Sequence, residues 1–325
     1  MWLQTRMYLL IAVLFGILYG ALVLIGSAMG WGGALVYVIL ALAIMGIQYL
    51  ISPALVGWTM RIRWVTEVEE PELYRMVTEL SQKAGLPMPK VGISEIAIPN
   101  AFAFGRSQKD GRICVTRGIL SILNPAELRA VVGHEMSHIR HRDMAIMTVL
   151  SAIPMILYWV AWSFMWGGAF GGKSKNNNGG SYGILIGIIA FILYFVTNLL
   201  VLYGSRIREY YADKGSVELG NQPHQLASAL YRLVASDANQ KKNPDMKRVA
   251  GMKTLFLNDP ARAWNEVREL SQIDKNGDGR ISQDDLLNLR QKKIHIGFGG
   301  KLLEIFTTHP NTLKRIQVLS SYAGY

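Results

Sequence analysis

The residues of this chain best suited by type and spacing to do chemistry are His134, Glu135 and His138, within the run HEMSH. On an α-helix with 3.6 residues per turn, side chains four positions apart leave the same face, so two imidazoles can grip one metal ion. Glu135 would lie beside that ion, where its carboxylate can take a proton from water that zinc has acidified. The pattern H-E-x-x-H therefore predicts the zinc helix of a metallopeptidase.

This chemistry requires a helix, and the sequence predicts one over residues 125–142. Asn124 is a good N-cap, Pro125 fits the first helical position, and Glu127 stands where the acid of a capping box reaches back. Gly133 would leave room for a neighbouring backbone close to the metal. The alternative is a surface helix with two incidental histidines. It is weaker, because the chain has only 6 histidines and the apolar residues around these two imply burial.

A third metal ligand is needed, since catalytic zinc sites usually have three protein ligands and a water. The best candidates are Glu209 and Asp213, which follow the last apolar stretch of the chain. They are four positions apart and would share a helix face. One could bind metal while the other orients a histidine, and spacing alone leaves the assignment open.

Four features taken together resemble the HtpX-type membrane peptidases, a gluzincin-like family related to the CAAX prenyl endopeptidases. The resemblance extends over almost the whole chain, including the placement of the apolar stretches. Its motifs are His134-Glu135-x-x-His138, Asp143, the run Arg208 to Asp213 (REYYAD), and Thr308-His309-Pro310.

This resemblance implies roles for several residues. Glu209 would be the third zinc ligand, and Asp143 and Asp213 would orient the two histidines. His309 and Arg315 would lie near the active cleft. There His309 could donate a hydrogen bond to the oxyanion that develops on the scissile carbonyl.

Residues 66–124 are predicted to form a small α/β unit. Residues 71–84 have helical periodicity and begin with acids. Three short runs, 90–96, 101–104 and 112–116, alternate or run apolar as strands do.

The second of these runs resembles the family's edge strand beside the zinc helix. Its candidate substrate-binding residues are Asn100, Ala101, Phe102 and Ala103. An open edge can pair with an extended substrate backbone and bind it with little sequence preference. The alternative is a plain structural strand.

Long uncharged stretches predict a mainly α membrane protein with four transmembrane helices. Residues 7–60 carry no charge and have room for two helices of about 20 residues each. Residues 144–204 would form a second pair around a Gly- and Asn-rich loop at 167–182. A cytoplasmic α+β zincin-like catalytic domain would then be built from two parts, 61–143 and 205–325. Core helices of a soluble enzyme are the alternative.

Basic residues near the ends of the predicted spans indicate their orientation. One side would carry only Lys173 and Lys175, which places the catalytic domain and both termini in the cytoplasm. The net charge of +11 is attributed to this topology and to anionic lipid, since no nucleic-acid-binding signature is present. The single cysteine, Cys114, excludes an intramolecular disulfide and suits a reducing compartment. On the cytoplasmic side, the ends of the predicted spans would carry these basic residues: Arg6, Arg61, Arg63, Arg140, Arg142, Arg206 and Arg208.

Residues 274–285, DKNGDGRISQDD, match the calcium-binding loop of an EF-hand. Helices are predicted on both sides, at 261–273 and 283–291. The loop could bind Ca²⁺, or it could be a polar turn that keeps the shape of an EF-hand loop without binding the ion. The candidate ligands are Asp274, Asn276, Asp278, Ser282 and Asp285.

These features predict a zinc endopeptidase in the membrane, acting on polypeptides at the cytoplasmic face. By resemblance, its substrates would be misfolded or damaged membrane proteins, which is a quality-control role. Two alternatives are a CAAX-type processing protease and a catalytically silent metal-binding membrane scaffold. A transporter is disfavoured, because no ionisable residue lies within the predicted spans.

Overall fold

The structure is a computed structural model, and the parts of the chain it describes form two compact units. The first comprises residues 1–50 and 145–204, and the second comprises residues 51–144 and 205–325. These described parts are mostly helical and contain one small sheet. The described residues are 9, 12–14, 16–17, 34–170, 179–239, 257, 263–274, 277–291 and 304–323.

The helices and strands follow one another in this order: α1 (Ala34–Thr59), β1 (Ile62–Trp64), α2 (Pro71–Ala84), β2 (Lys90–Ser94), β3 (Ala101–Phe104), β4 (Arg112–Thr116), α3 (Arg117–Ile122), α4 (Pro125–Arg140), α5 (Asp143–Phe170), α6 (Gly179–Glu218), α7 (Pro223–Asn239), α8 (Ala263–Leu270), α9 (Gln283–Gln291) and α10 (Thr312–Ser320).

The first unit is built from apolar helices. Its buried core contains Leu14, Leu150, Ile153, Leu157 and Val201. By length and composition, Gly183–Glu218 is the one helix within the described residues that could cross a membrane, and Leu150–Met165 is a shorter apolar helix. Most of the first predicted span and residues 171–178 of the predicted loop lie outside the described residues.

The second unit contains a sheet of four strands in the order β1-β2-β4-β3. β2 and β4 are parallel, and the other two pairs are antiparallel. The predicted strands at 101–104 and 112–116 are confirmed, and the one at 90–96 ends at Ser94. β1 was not predicted, because a strand of three residues is too short to display alternation. β3 lies at an edge of the sheet, as expected.

Helix α4, which contains the H-E-x-x-H motif, ends sooner than predicted. It spans Pro125–Arg140 instead of residues 125–142. Arg142 has a φ of 56°, a left-handed conformation that ends the helix before α5 begins at Asp143.

Helix α6 is longer than the span that was predicted to end at Gly204. It runs without interruption from Gly179 to Glu218 and so includes Glu209 and Asp213. A single glycine costs a helix only about 1 kcal/mol relative to alanine, so Gly204 does not end it. The two acids therefore do share one helix, as their spacing predicted.

Two glycines let α4 and the end of α6 approach closely. A Cβ added at Gly133 would come within 2.2 Å of the Asn221 amide nitrogen and 2.9 Å of Ser216 Oγ. A Cβ added at Gly215 would come within 2.1 Å of Ser137 Oγ. The space left by the missing side chain of Gly133 is filled by the side chains of Ser216 and Asn221. The contact is closed by the Ser216 hydroxyl, which donates to the Ala130 carbonyl at 2.6 Å.

Candidate active site

The N-terminus of α4 is fixed by a capping box. Asn124 Oδ1 accepts a hydrogen bond from the Glu127 amide at 2.8 Å, and Glu127 Oε2 accepts one from the Asn124 amide at 2.9 Å. Glu127 is buried and also accepts from the Ser228 hydroxyl at 2.7 Å, which ties α4 to α7. This anchoring sets the rotation of the helix and therefore the direction in which its histidines project.

His134, His138 and Glu209 form a buried cluster whose ligand atoms all lie within 4.8 Å of one another. The Nε2 atoms of the two histidines are 3.2 Å apart. Glu209 Oε2 lies 3.4 Å from His134 Nε2, and Glu209 Oε1 lies 3.6 Å from His138 Nε2. Three potential ligands from two helices therefore converge on one point.

The other ring nitrogen of each histidine meets a buried carboxylate. His134 Nδ1 is 2.9 Å from Asp213 Oδ1, and His138 Nδ1 is 2.7 Å from Asp143 Oδ2. A carboxylate only accepts when ionised, so each Nδ1 is assigned as the protonated nitrogen. Both Nε2 atoms are then directed toward each other and toward Glu209.

This arrangement fits a metal cation. Neutral histidines in these tautomers would bring two lone pairs within 3.2 Å, which is unfavourable unless a cation lies between them. Glu209 Oε2 is buried and makes no hydrogen bond within the described part of the chain. Burial lowers the pKa of His134, but the neighbouring carboxylates of Asp213 and Glu209 outweigh it and raise that pKa to about 9. The pocket thus attracts positive charge, which a divalent ion can supply.

Glu135 lies beside the cluster but faces the sheet. Its side chain is buried, and Oε2 accepts a hydrogen bond from the Ala103 amide at 2.7 Å. Burial raises the pKa of this carboxyl, while the charges of His138 and His134 oppose the rise. A carboxylate with a raised pKa is better suited to accept a proton and release it again.

Two arginines contact the carboxylates that orient the histidines. Arg315 donates to both oxygens of Asp213, at 2.9 Å from Nε and 2.7 Å from Nη2. Arg208 Nε lies 3.3 Å from Asp143 Oδ2. Sequence reasoning used Arg208 as a topology signal and as part of the REYYAD run, but it predicted no partner for it, since an arginine beside an apolar span gives no sign of a buried partner.

His309 is also in this region. Its ring is buried, its Nδ1 lies 2.9 Å from the Thr308 hydroxyl, and its charge acts on Glu209. Arg315, the other residue expected near the cleft, is 3.2 Å from Glu209 Oε2. Arg315 therefore contacts the carboxylate of the cluster, and the charge of His309 lowers the pKa of that carboxylate.

The predicted substrate edge lies next to Glu135. Ala101, Phe102 and Ala103 belong to β3 and are buried in this structure. The side chain of Asn100 is committed elsewhere, because its Oδ1 accepts from the Leu257 amide at 3.1 Å. Sequence reasoning missed the bond between the Ala103 amide and Glu135, since backbone donors leave no signal in residue types.

The candidate calcium loop has part of the expected geometry. Asp274 accepts from the amides of Gly277 and Gly279, at 2.8 and 3.0 Å. Ser282 donates its hydroxyl to Asp285 at 2.6 Å, so two candidate ligands contact each other. Asp278 accepts from the Arg280 amide at 2.8 Å. Asn276 lies outside the described residues.

Comparison with known proteins shows that this chain is similar to peptidases over most of its length. Residues 67–323 match Peptidase family M48. The chain is 53% identical over 232 residues to a Protease HtpX homolog of Methanothermobacter thermautotrophicus, covering 71% of this chain and 86% of that protein. It is 33% identical over 328 residues to a Protease HtpX homolog of Pyrococcus furiosus, covering 99% of this chain and 96% of that protein.

A solved structure shares the fold. The crystal structure of S. mikatae Ste24p aligns with a TM-score of 0.52 and 16% identity, covering 97% of this chain. The chain spans 65% of that protein, which is less than two thirds of its length. At this identity the likeness bears on the fold alone.

A buried H-E-x-x-H helix whose two histidines converge with a carboxylate defines a metallopeptidase. The chain belongs to peptidase family M48. The resemblance to HtpX-type peptidases is confirmed by the curated relatives.

Proposed function

We propose that this metallopeptidase is a zinc endopeptidase of the membrane that cleaves misfolded or damaged membrane proteins at the cytoplasmic face. The observation that carries the proposal is the buried cluster of His134, His138 and Glu209 with Glu135 beside it. Two imidazoles and one carboxylate are typical ligands of catalytic zinc. A zinc ion bound there would supply a Lewis acid that polarises the scissile carbonyl and makes water more acidic.

The residues of the chain would supply the proton transfers and the orientation. Glu135 would take a proton from the attacking water and pass it to the leaving amine. Asp213 and Asp143 would hold His134 and His138 in the tautomer that binds metal. His309 would donate a hydrogen bond to the oxyanion of the tetrahedral intermediate.

Substrate would bind as an extended strand along β3. The pairing of β3 with β4 and the bond from the Ala103 amide to Glu135 indicate that the backbone groups of Ala101 and Ala103 are directed away from β4. A chain added at this edge is held mainly by its backbone, so binding would favour unfolded segments over particular sequences. This supports a role in the removal of damaged proteins over a selective CAAX-type processing role. The presence of Glu135 argues against a catalytically silent scaffold.

The decisive experiment combines metal analysis with proteolysis of casein by the detergent-purified protein. We expect about one zinc per chain. Cleavage should be lost when a chelator strips the metal, and it should return with zinc but not with magnesium. A folded protein that holds no zinc, or that cleaves equally well after stripping, would contradict the proposal.

We further propose four membrane spans with the catalytic parts and both termini in the cytoplasm. Support comes from the apolar side chains that α5 and α6 leave exposed, such as Trp159, Ile184 and Ile192. In intact cells, a membrane-impermeant thiol reagent should label Ser174→Cys but not Glu67→Cys. Cys114 is buried and should not react. Labelling of Glu67→Cys by the external reagent would contradict the proposed orientation.

We also propose that the loop 274–285 binds calcium. Support comes from the spacing of its oxygen ligands and from the Gly279 amide, which bonds to Asp274 as the sixth position of an EF-hand loop requires. Calcium at about millimolar concentration should raise the thermal unfolding midpoint of the wild type but not of Asp278→Ala. The absence of a rise in the wild type would mean that the loop is a polar turn, and an equal rise in both proteins would mean that calcium binds elsewhere.

A further inference from the structure

Arg315 is a charged residue that is almost wholly enclosed by the site. Its side chain is 1% exposed and lies on α10, far in sequence from the H-E-x-x-H motif. Besides its two bonds to Asp213, it donates from Nη1 to the Leu257 carbonyl at 2.7 Å. Nη1 is also 3.2 Å from Glu209 Oε2. One guanidinium therefore reaches both acids that α6 contributes to the site.

The two bonds from Arg315 to Asp213 fix the orientation of the carboxylate as well as balancing its charge. A guanidinium that meets a carboxylate with two parallel bonds fixes the plane of that carboxylate. Asp213 Oδ1 accepts from Arg315 Nη2 at 2.7 Å and also lies 2.9 Å from His134 Nδ1. The orientation that Arg315 imposes on Asp213 is thus passed to the ring of His134.

We propose that Arg315 is a positioning residue of the metal site: through Asp213 it directs His134 Nε2 at the metal, and it draws Glu209 to the same point. The proposal rests on the proposed function, because it concerns how the proposed ligands are arranged. Without the guanidinium, the buried carboxylate of Asp213 would keep only the weaker bond to His134 Nδ1, and the plane of the carboxylate would no longer be fixed.

The structure holds Arg315 itself in place. The helix that carries it begins at Asn311 and Thr312, whose side chains donate to Glu269 Oε2 at 2.7 Å and to Glu266 Oε2 at 2.5 Å. The residues that orient His138 are arranged differently, since Arg208 contacts Asp143 through one atom pair at 3.3 Å. We therefore infer that the orientation of the His134 ring is fixed more strictly than that of the His138 ring.

The test measures zinc affinity by competition with a chromogenic chelator, alongside thermal unfolding, for Arg315→Met, Arg315→Lys and Asp213→Asn. Arg140→Met is the matched control, because Arg140 is exposed at the end of α4 and pairs only loosely with Glu218 at 3.7 Å. Arg315→Met should bind zinc about 10- to 100-fold more weakly, as expected for the loss of a partner that orients a ligand. Arg315→Lys should recover part of the affinity, since it restores the charge but not the paired geometry. The control should match the wild type.

A double variant tests whether Arg315 acts through Asp213. If it does, Asp213→Asn/Arg315→Met should lose clearly less zinc affinity than the sum of the two single losses, because only the contact of Arg315 with Glu209 remains to be removed. Full additivity of the two losses would overturn this route.

Three further outcomes would count against the proposal. Arg315→Met that binds zinc as tightly as the wild type would overturn it and leave the proposed function intact. Failure of both Arg315 variants to fold, while Asp213→Asn folds, would assign Arg315 to structure instead. A wild type that binds no zinc would mean that the proposed metal site itself is wrong.

Discussion

Glu135→Gln is expected to keep zinc and to cleave casein roughly 10²- to 10⁴-fold more slowly than the wild type, the range typical for loss of a general base. The amide oxygen of glutamine can still accept the bond that Glu135 takes from the Ala103 amide at 2.7 Å. It cannot take a proton from water, so the fold should survive while the chemistry stops. The measurements are zinc content, thermal unfolding and initial rates of cleavage.

The control for this change is Glu79→Gln, which removes an exposed carboxylate on α2 that is 3.5 Å from Arg129. It should behave as the wild type in all three measurements. If Glu135→Gln keeps cleavage within about tenfold of the wild type, another group must act as the base.

His138→Asn is expected to lose both zinc and cleavage. Asparagine is too short to place an atom where His138 Nε2 lies, 3.2 Å from His134 Nε2, and it leaves the Asp143 carboxylate without its imidazole partner. Removal of a ligand should weaken zinc binding by more than the roughly 100-fold that loss of an orienting partner can cost. Zinc content after gel filtration and chelator competition measure the effect.

The same helix end offers a matched histidine. His141 follows three positions later, but its Nδ1 lies 2.9 Å from the Ser137 carbonyl and it takes no part in the cluster. His141→Asn should retain zinc and activity. Wild-type zinc affinity in His138→Asn, or equal losses in the two variants, would remove His138 from the ligand set.

The motif helix was predictable because its signals are local. The cap at Asn124, the capping-box acid Glu127 and the spacing of the histidines all act within a few turns of one helix. The distinction between Glu209 and Asp213 was not available from spacing. In the structure Glu209 faces the Nε2 atoms and Asp213 meets His134 Nδ1, and this difference depends on how closely α4 and α6 approach.

The basic residues show a different limit of sequence reasoning. The sequence predicted no partner for Arg206 or Arg208, which were interpreted as topology signals beside an apolar span, although Arg208 also belongs to the REYYAD run. In the structure Arg206 donates to the carbonyls of Glu304 and Thr307, at 2.9 and 2.7 Å, and Arg208 contacts Asp143. Arginines that face lipid headgroups and arginines that bond to the protein both occur beside an apolar span in the sequence. A charge count therefore cannot distinguish the two kinds.

The two glycines between α4 and α6 imply a constraint on how this sequence can diverge. Ser137 occupies the space that a side chain at Gly215 would need, and Ser216 and Asn221 occupy the space beside Gly133. The residues of each group share a fixed volume, so a relative that gains a methyl group at position 215 should carry glycine at position 137. Aligned relatives should therefore show compensated substitutions at these positions, and independent variation there would mean that the two helices can separate without loss of the site.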